Sequence, residues 1–229
     1  MQVTKSIIHI FQFLLCFVFC NSSVNAQVQG YQNNKNWMSY IDIKDDTIKK
    51  ELGYFVSEAN KLKKFSNKEI SKHLDIIPSS YINENSISFE DGNIISIKLL
   101  VDIKIGDFDT LKHKYTYKKN KAKEMMLIDD MPCFGLDITL PIKELKKVRL
   151  IFFKLQVILP DSALFGLYEP NIYLDSLKTI VSCKVYRSKD LKRVYIYMLN
   201  GEGKNQYEVT WVLINSNYSM RIINRLPNL

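Results

Sequence analysis

The side chains best suited to catalysis or metal binding are few in this chain. Beyond residue 26, the histidines are His73 and His113, and the cysteines are Cys133 and Cys183. Neither histidine has a partner at the spacing of a metal site, and HExxH and paired CxxC motifs are absent. A Cys–His dyad of one of these thiols with His113 stays open, because the two residues of a catalytic dyad are neighbours in the folded structure and need not be close in sequence. We therefore assign no catalytic residue and no metal ligand, and we expect no cofactor.

Acidic residues offer a second kind of chemistry. Asp107 and Asp109 form one close pair, Asp129 and Asp130 form another, and Asp137 follows in the same region. Glycosidases place two carboxylates across a cleft. An exported hydrolase using loop carboxylates near Asp107, Asp129 or Asp137 is therefore the alternative function. Turns explain the same acids, because Asp favours turn positions.

Two groups of residues are candidates for ligand binding. Tyr195 and Tyr197 share one face of a predicted strand, and an open face would let them stack on sugars or pack against a protein. A covered face would instead make them core residues. Lys112 and Lys114 begin the densest basic run, at 112–123, which is either an anion-binding patch or a solvated strand face.

The type of positive charge in the chain argues against a nucleic-acid partner. The formal net charge is +8, and most of it comes from lysine, with arginine only at positions 149, 187, 193, 221 and 225. Nucleic-acid readers favour the guanidinium fork of arginine. We therefore expect a protein or an envelope polymer as partner, and no nucleic acid.

The first 26 residues have the pattern of a secretory signal peptide. Lys5 precedes an apolar run at 7–19, and Val24-Asn25-Ala26 has the small-x-small form of a cleavage site. The apolar run is shorter than the roughly 20 residues of a membrane span. A lipid anchor at Cys16 or Cys20 and an uncleaved anchor are the alternatives. The pattern predicts cleavage, a periplasmic or extracellular protein without a later membrane span, and a polar leader at 27–36.

Cleavage would leave Cys133 and Cys183 as the remaining cysteines. An oxidising compartment permits one disulfide between them. The alternative is two buried thiols, and geometry decides between these states.

A helical pattern opens the predicted single domain at 37–229. Asp45 or Asp46 offers an N-cap, and apolar residues then recur at helical spacing. This stripe predicts a helix over about 47–64 that covers a sheet. Gly53 within it lowers helix stability by up to about 1 kcal/mol relative to alanine. Ser66 and Glu69 form a capping box for a second, short helix before Pro78.

The remaining chain favours β-structure. Alternation from residue 86 predicts a hairpin at 90–93, a strand at 95–105 and a strand at 111–117 that carries His113 on its apolar side. The apolar run at 148–159 is one strand or a hairpin that turns near Lys154. The pattern over residues 179–224 predicts a four-stranded meander.

The predicted fold is α+β, mostly antiparallel β, either a twisted sheet or a two-sheet sandwich, with the N-terminal amphipathic helix packed on it. The predicted function is an exported, soluble, non-enzymatic binding or structural domain.

Overall fold

The chain is mostly antiparallel β-structure, as its alternation predicts. The computed structural model describes residues 37–57, 65–92, 98–120, 123–152, 155–173, 176–178 and 181–226. The predicted signal peptide and leader lie outside these residues. The described strands are β1 (Leu74–Ile77), β2 (Ser79–Asn83), β3 (Ser86–Glu90), β4 (Leu99–Asp107), β5 (Tyr115–Asn120), β6 (Lys123–Ile128), β7 (Met131–Pro132), β8 (Lys143–Phe152), β9 (Leu155–Ile158), β10 (Cys183–Ser188), β11 (Arg193–Asn200), β12 (Tyr207–Ile214) and β13 (Asn217–Arg225).

These strands form three sheets. Sheet A has the order β1-β10-β11-β12-β13, sheet B has the order β2-β3-β4-β8-β9, and sheet C has the order β5-β6-β7. Strands β10 to β13 follow one another as antiparallel neighbours and lie within a few residues of the four strands predicted at 179–224. The 148–159 run contains the β8–β9 hairpin, with Phe152 paired to Leu155. The hairpin alternative was therefore correct.

Sheets A and B share one apolar cluster. Val101 and Val148 from sheet B belong to it together with Val185, Ile196 and Trp211 from sheet A. Period-two alternation explains this arrangement, because every second side chain of a strand points to the same face. The buried Trp211 indole donates a hydrogen bond of 2.8 Å to the carbonyl of Ala163, which lies in the short helix α3 (Asp161–Leu164).

The other face of sheet A is also covered. Residues 37–57 and 65–73, which we call the N-terminal layer, contribute Leu52, Phe55 and Val56 to a second apolar cluster. Tyr186 and Tyr195 of sheet A belong to the same cluster. The ring centroids of Phe55 and Tyr186 are 4.3 Å apart. The central strands of sheet A are therefore buried on both faces.

One buried carboxylate, Glu208, and one half-buried carboxylate, Glu51, connect the N-terminal layer to sheet A. Glu208 accepts hydrogen bonds from the Ser57 backbone N–H at 2.8 Å and from the Tyr197 hydroxyl at 3.2 Å. Glu51 accepts from the Arg193 guanidinium at 2.8 and 2.9 Å. Because buried charges need partners to offset their lost hydration, these contacts fix where the layer sits.

The N-terminal helix differs from its prediction. Helix α1 covers Asp46–Leu52, with Asp45 as its N-cap, so a helix over 47–64 is not supported. After Gly53 the backbone turns, and the N–H groups of Tyr54 and Phe55 bond to carbonyls three residues back. Phe55 and Val56 thus become buried through a turn instead of a helical stripe. Residues 58–64 lie outside the described residues.

The short second helix agrees with its capping signal. Helix α2 covers Asn67–Ile70, and the side chains and backbones of Ser66 and Glu69 form the reciprocal capping box. The chain then enters β1 at Leu74, before Pro78. Among the described residues, no helix is long and apolar enough to cross a bilayer.

Candidate functional site

Sheet B has an outward face that differs from both faces of sheet A. Its inward side chains are buried in the shared cluster, whereas its outward side chains are half-buried or exposed. We call this outward surface the open face. Its members are Tyr81, Asn83, Ser86, Ser88, Glu90, Leu100, Asp102, Lys104, Lys147, Arg149, Ile151, Gln156 and Ile158.

Strand register arranges the open face in rows. Directly paired residues of antiparallel strands point to the same side of a sheet. The first row is Asn83-Ser86-Lys104-Lys147, and the second is Tyr81-Ser88-Asp102-Arg149-Ile158. With about 4.8 Å between strands, the first row extends over roughly 14 Å.

The first row ends in two opposed lysines. Lys104 of β4 pairs directly with Lys147 of β8. In the described part of the chain neither ammonium has an acidic partner, whereas the neighbouring Lys143 lies 2.6 Å from Asp107 and Lys146 contacts Glu144. We call Lys104 and Lys147 the lysine pair.

A bulge sets the position of the lysine pair. The register shifts between Lys104 and Ile105, so β8 carries one extra residue there. The Lys146 side chain lies over Gly106, where an added Cβ would be 2.8 Å from the Lys146 Cε atom. Lys147 therefore pairs with Lys104, whereas the ammonium of the extra residue Lys146 contacts Glu144.

The second row has a polar centre whose charges are balanced internally. The Ser88 hydroxyl donates to Asp102 at 2.7 Å, and the Arg149 Nε–H donates to the same carboxylate at 2.9 Å. Because these three side chains satisfy one another across three strands, the centre of the open face is fixed and contributes little net charge.

An exposed aromatic ring lies at the β2 end of the open face. Tyr81 is 56% exposed, and its hydroxyl accepts a hydrogen bond of 2.9 Å from the Asn83 side chain. Asn83 is held in turn by the Ser86 hydroxyl, which donates to Asn83 Oδ1 at 3.0 Å. An anchored, accessible aromatic ring can stack on a sugar or pack against a protein.

The predicted binding residues Tyr195 and Tyr197 do not lie on an accessible face. They are 0% and 7% exposed beneath the N-terminal layer. Their hydroxyls donate to Glu51 and Glu208, and burial raises the pKa of both phenols. Their role as surface binding residues is therefore corrected: the alternative in which this face belongs to the core is the observed one.

The predicted binding residues Lys112 and Lys114 are exposed. The Lys112 ammonium lies 3.0 Å from the Asp109 carboxylate. The predicted strand from 111 is wrong at its start, because Thr110–Lys112 is a 3-10 turn and Leu111 is 95% exposed. Whether Lys112 and Lys114 bind a ligand stays a prediction.

Of the two states open to Cys133 and Cys183, the structure shows two buried thiols and no disulfide. Cys133 belongs to a cluster with Phe108 and Tyr168, whereas Cys183 belongs to the cluster between sheets A and B. Burial raises the pKa of Cys133 to about 11 and that of Cys183 to about 12. Nucleophilic cysteines need a lowered pKa, so these thiols have packing roles.

A histidine–carboxylate contact was missed from the sequence. His113 Nδ1 lies 2.6 Å from Asp129 Oδ2, and Asp129 Oδ1 accepts from the Lys114 N–H at 2.9 Å. Burial raises the pKa of the Asp129 carboxyl, but the hydrogen bonds from His113 and Lys114 outweigh burial and hold it below its usual value. The pairing of Tyr115 with Ile128 brings these residues together, and sequence alternation alone does not reveal that register.

Three other loop carboxylates, those of Asp107, Asp109 and Asp137, each contact a lysine. Asp107 contacts Lys143 at 2.6 Å, and Asp109 contacts Lys112 at 3.0 Å. These lysines hold the pKa of both carboxyls below the usual range. Since a glycosidase acid needs a raised pKa, neither carboxyl has the properties of that acid. Asp137 contacts Lys204.

Two grooves on the described residues offer further space for a ligand. Among the described residues, no three His, Cys, Asp or Glu side chains are grouped to hold a metal ion. One shallow groove of about 280 Å³ is lined by Trp37, Ser39, Ile41, Phe134, Ile223, Asn224 and Arg225. Another of about 330 Å³ is lined by Asp46, Thr47, Lys50, Glu51, Tyr54 and His73.

Comparisons with protein-family models, curated proteins and solved structures found no match to this chain. The functional assignment therefore depends on the chemistry and geometry of the chain itself.

Proposed function

We propose that this chain is an exported, non-enzymatic binding domain of the cell envelope or extracellular space, and that the open face is its binding surface. One observation carries this proposal. The N-terminal layer covers the outer face of sheet A, whereas the outward side chains of sheet B remain half-buried or exposed. Residues 1–26, with their signal-peptide pattern, support export.

The chemistry of the open face supports recognition of an extended ligand. It combines the exposed Tyr81 ring, the hydroxyls of Ser86 and Ser88, and the ammonium groups of Lys104 and Lys147. These groups lie on paired strands, which hold binding residues more rigidly than loops do. A surface spread over five strands suits a polymer or a protein better than a small molecule, which favours a concave pocket.

Blocking the open face tests the proposal. Tyr81→Cys introduces an accessible thiol, while the native thiols Cys133 and Cys183 are buried. Labelling with a polyethylene glycol maleimide would then cover the face. Binding would be measured by co-sedimentation with insoluble peptidoglycan, cellulose and cross-linked polygalacturonate.

We expect the unmodified chain to sediment with at least one polymer and the labelled Tyr81→Cys variant to stay in solution. Ser71→Cys, labelled in the same way, is the control, because Ser71 is exposed on the N-terminal layer. This control should bind normally. Retained binding after the Tyr81 position is blocked, or equal loss in the control, would contradict the open face as the binding surface.

The His113–Asp129 contact favours a second candidate, an exported hydrolase. In serine hydrolases a carboxylate orients a histidine that acts as general base. The raised pKa of Cys133 does not suit a nucleophile, and within the described residues no hydroxyl is hydrogen-bonded to His113. Hydrolysis of nitrophenyl esters or glycosides that disappears in His113→Gln would support this candidate, and activity that persists in His113→Gln would reject it.

A further inference from the structure

The lysine pair is not explained by the stability of sheet B. Like charges directly opposite each other on antiparallel strands are destabilising. Lys104 and Lys147 occupy such a position and have no acidic partner in the described part of the chain. Elsewhere on this sheet, Lys98 lies 2.5 Å from Glu90, and Arg149 is paired with Asp102. An anion from outside the chain would remove the repulsion at this one position.

We propose that Lys104 and Lys147 form an anion site, and that the ligand of the open face is an acidic polysaccharide whose carboxylate or sulfate groups bind there. This inference rests on the proposed function, because it names the ligand class of the same surface. Each ammonium has three hydrogen-bond donors and behaves as a compact charge, so two adjacent ammonium groups can bind one anionic group between them.

The rest of the first row suits a sugar chain. Ser86 lies beside Lys104, and Asn83 lies beside Ser86. Asn83 also anchors the exposed Tyr81 ring at the start of the neighbouring row. An extended glycan lying along the row would thus meet an aromatic ring and hydroxyl groups at one end and two cations at the other.

The charge distribution favours a narrow chain over a membrane surface. At the centre of the open face Arg149 is paired with Asp102, and at its edge Glu90 is paired with the neighbouring Lys98. The uncompensated positive charge is therefore confined to one end of one row. A planar anionic bilayer binds best to a broad basic surface. A polysaccharide chain is narrow enough for one of its anionic groups to bind at a single pair of lysines.

The test compares two double variants that remove the same charge. Lys104→Gln with Lys147→Gln removes the anion site. Lys68→Gln with Lys72→Gln removes two exposed ammonium groups from the N-terminal layer on the other sheet. The probes are dextran sulfate, polygalacturonate, neutral dextran, and vesicles of phosphatidylcholine with phosphatidylserine. Binding would be followed by calorimetry at 50 and 200 mM salt, and thermal melting would verify folding.

We expect the original chain to bind at least one acidic polysaccharide and to bind neutral dextran weakly. The Lys104/Lys147 variant should lose roughly tenfold or more in affinity, since a hydrogen bond to a charged group contributes about that much. The Lys68/Lys72 variant should change less than about twofold if the site is local. Binding should weaken with salt because charges carry it.

Four results would overturn the inference. Equal losses in both double variants would indicate attraction by net charge alone. Binding to the anionic vesicles but to neither acidic glycan would identify a membrane surface as the occupant. Polymer binding that is blocked at Tyr81 but unaffected in Lys104→Gln with Lys147→Gln would leave the proposed function standing and remove the anion site. If the original chain binds none of the polymers, both the proposed function and the anion site are overturned.

Discussion

Reversing one charge of the lysine pair should stabilise the fold. Lys104 and Lys147 are directly paired across β4 and β8, so Lys147→Glu replaces a repulsive cross-strand contact with an attractive one. Lys104→Glu does the same from the other strand. The double variant restores a like-charge pair, now with two carboxylates. The three variants and the original chain form a double-mutant cycle.

The expected magnitude follows from cross-strand geometry. Two unit charges about 6 Å apart in a water-like dielectric interact by about 0.7 kcal/mol, and cross-strand pairs contribute roughly 0.2–1 kcal/mol. Each single variant removes a repulsion of this size and adds an attraction of the same size, so the free energy of unfolding should rise by about 1–1.4 kcal/mol. For a domain of this size, that gain raises the melting temperature by about 2–6 °C. The double variant should return close to the original stability.

Urea denaturation at 20 mM and 500 mM salt would measure this coupling. Salt screens exposed charges, so the coupling should shrink at 500 mM. A control cycle on Lys104 and Lys68, which lie on sheet B and on the N-terminal layer over sheet A, should give no comparable coupling. If both single variants are destabilised, or if their effects simply add in the double variant, the assigned repulsion is refuted. Increased stability together with lost polysaccharide binding would show that the original residues were retained for function.

Four further outcomes follow from the structure. Glu208→Ala should lower the free energy of unfolding by about 3 kcal/mol in chemical denaturation because buried donors lose their acceptor, whereas exposed Glu202→Ala should have little effect. The free, buried thiols should resist a thiol reagent at pH 8 until urea unfolds the chain. Asp129→Asn should lower the free energy of unfolding by about 0.5 kcal/mol near neutral pH, as measured by thermal melting. The pKa of the Asp129 carboxyl is lowered in the folded chain, so its contribution to stability is fully present above the unfolded pKa of about 4. That contribution is lost as the pH falls through the folded pKa, and the melting temperatures of the original chain and the variant should converge in acid. Mass spectrometry of the secreted product should place its N-terminus at or near Gln27, and an intact Met1 would contradict cleavage.

Local signals predicted the strands well. Alternation alone places Val101, Ile103 and Ile196 in the core, because strand period fixes the side to which each residue points. The capping box at Ser66 and Glu69 likewise predicts the start of α2, since both hydrogen bonds join residues only three positions apart. In each case the interactions that decide the structure lie within a few residues of the chain.

The helix and the open face required information from distant parts of the chain. Phe55 has the spacing of a helical stripe, but burial against Tyr186 is achieved by a turn. Tyr195 and Tyr81 are both aromatic residues in strands, and only the position of the N-terminal layer makes one of them core and the other exposed. The repulsion between Lys104 and Lys147 depends on strand register across a bulge. Sequence alternation gives the face of a residue but not its cross-strand neighbour.

The attachment of the N-terminal layer also constrains when the chain can fold. Met38 forms a parallel bridge with Ile222, and the Tyr40 N–H donates to the Asn224 side chain across 184 positions of sequence. The N-terminal layer is synthesised before β13, so it can complete its docking only after β13, among the last described residues, has been made. Such long-range closure is entropically expensive and slows folding. During that interval the apolar side of the layer, with Leu52 and Val56, would be open to chaperones.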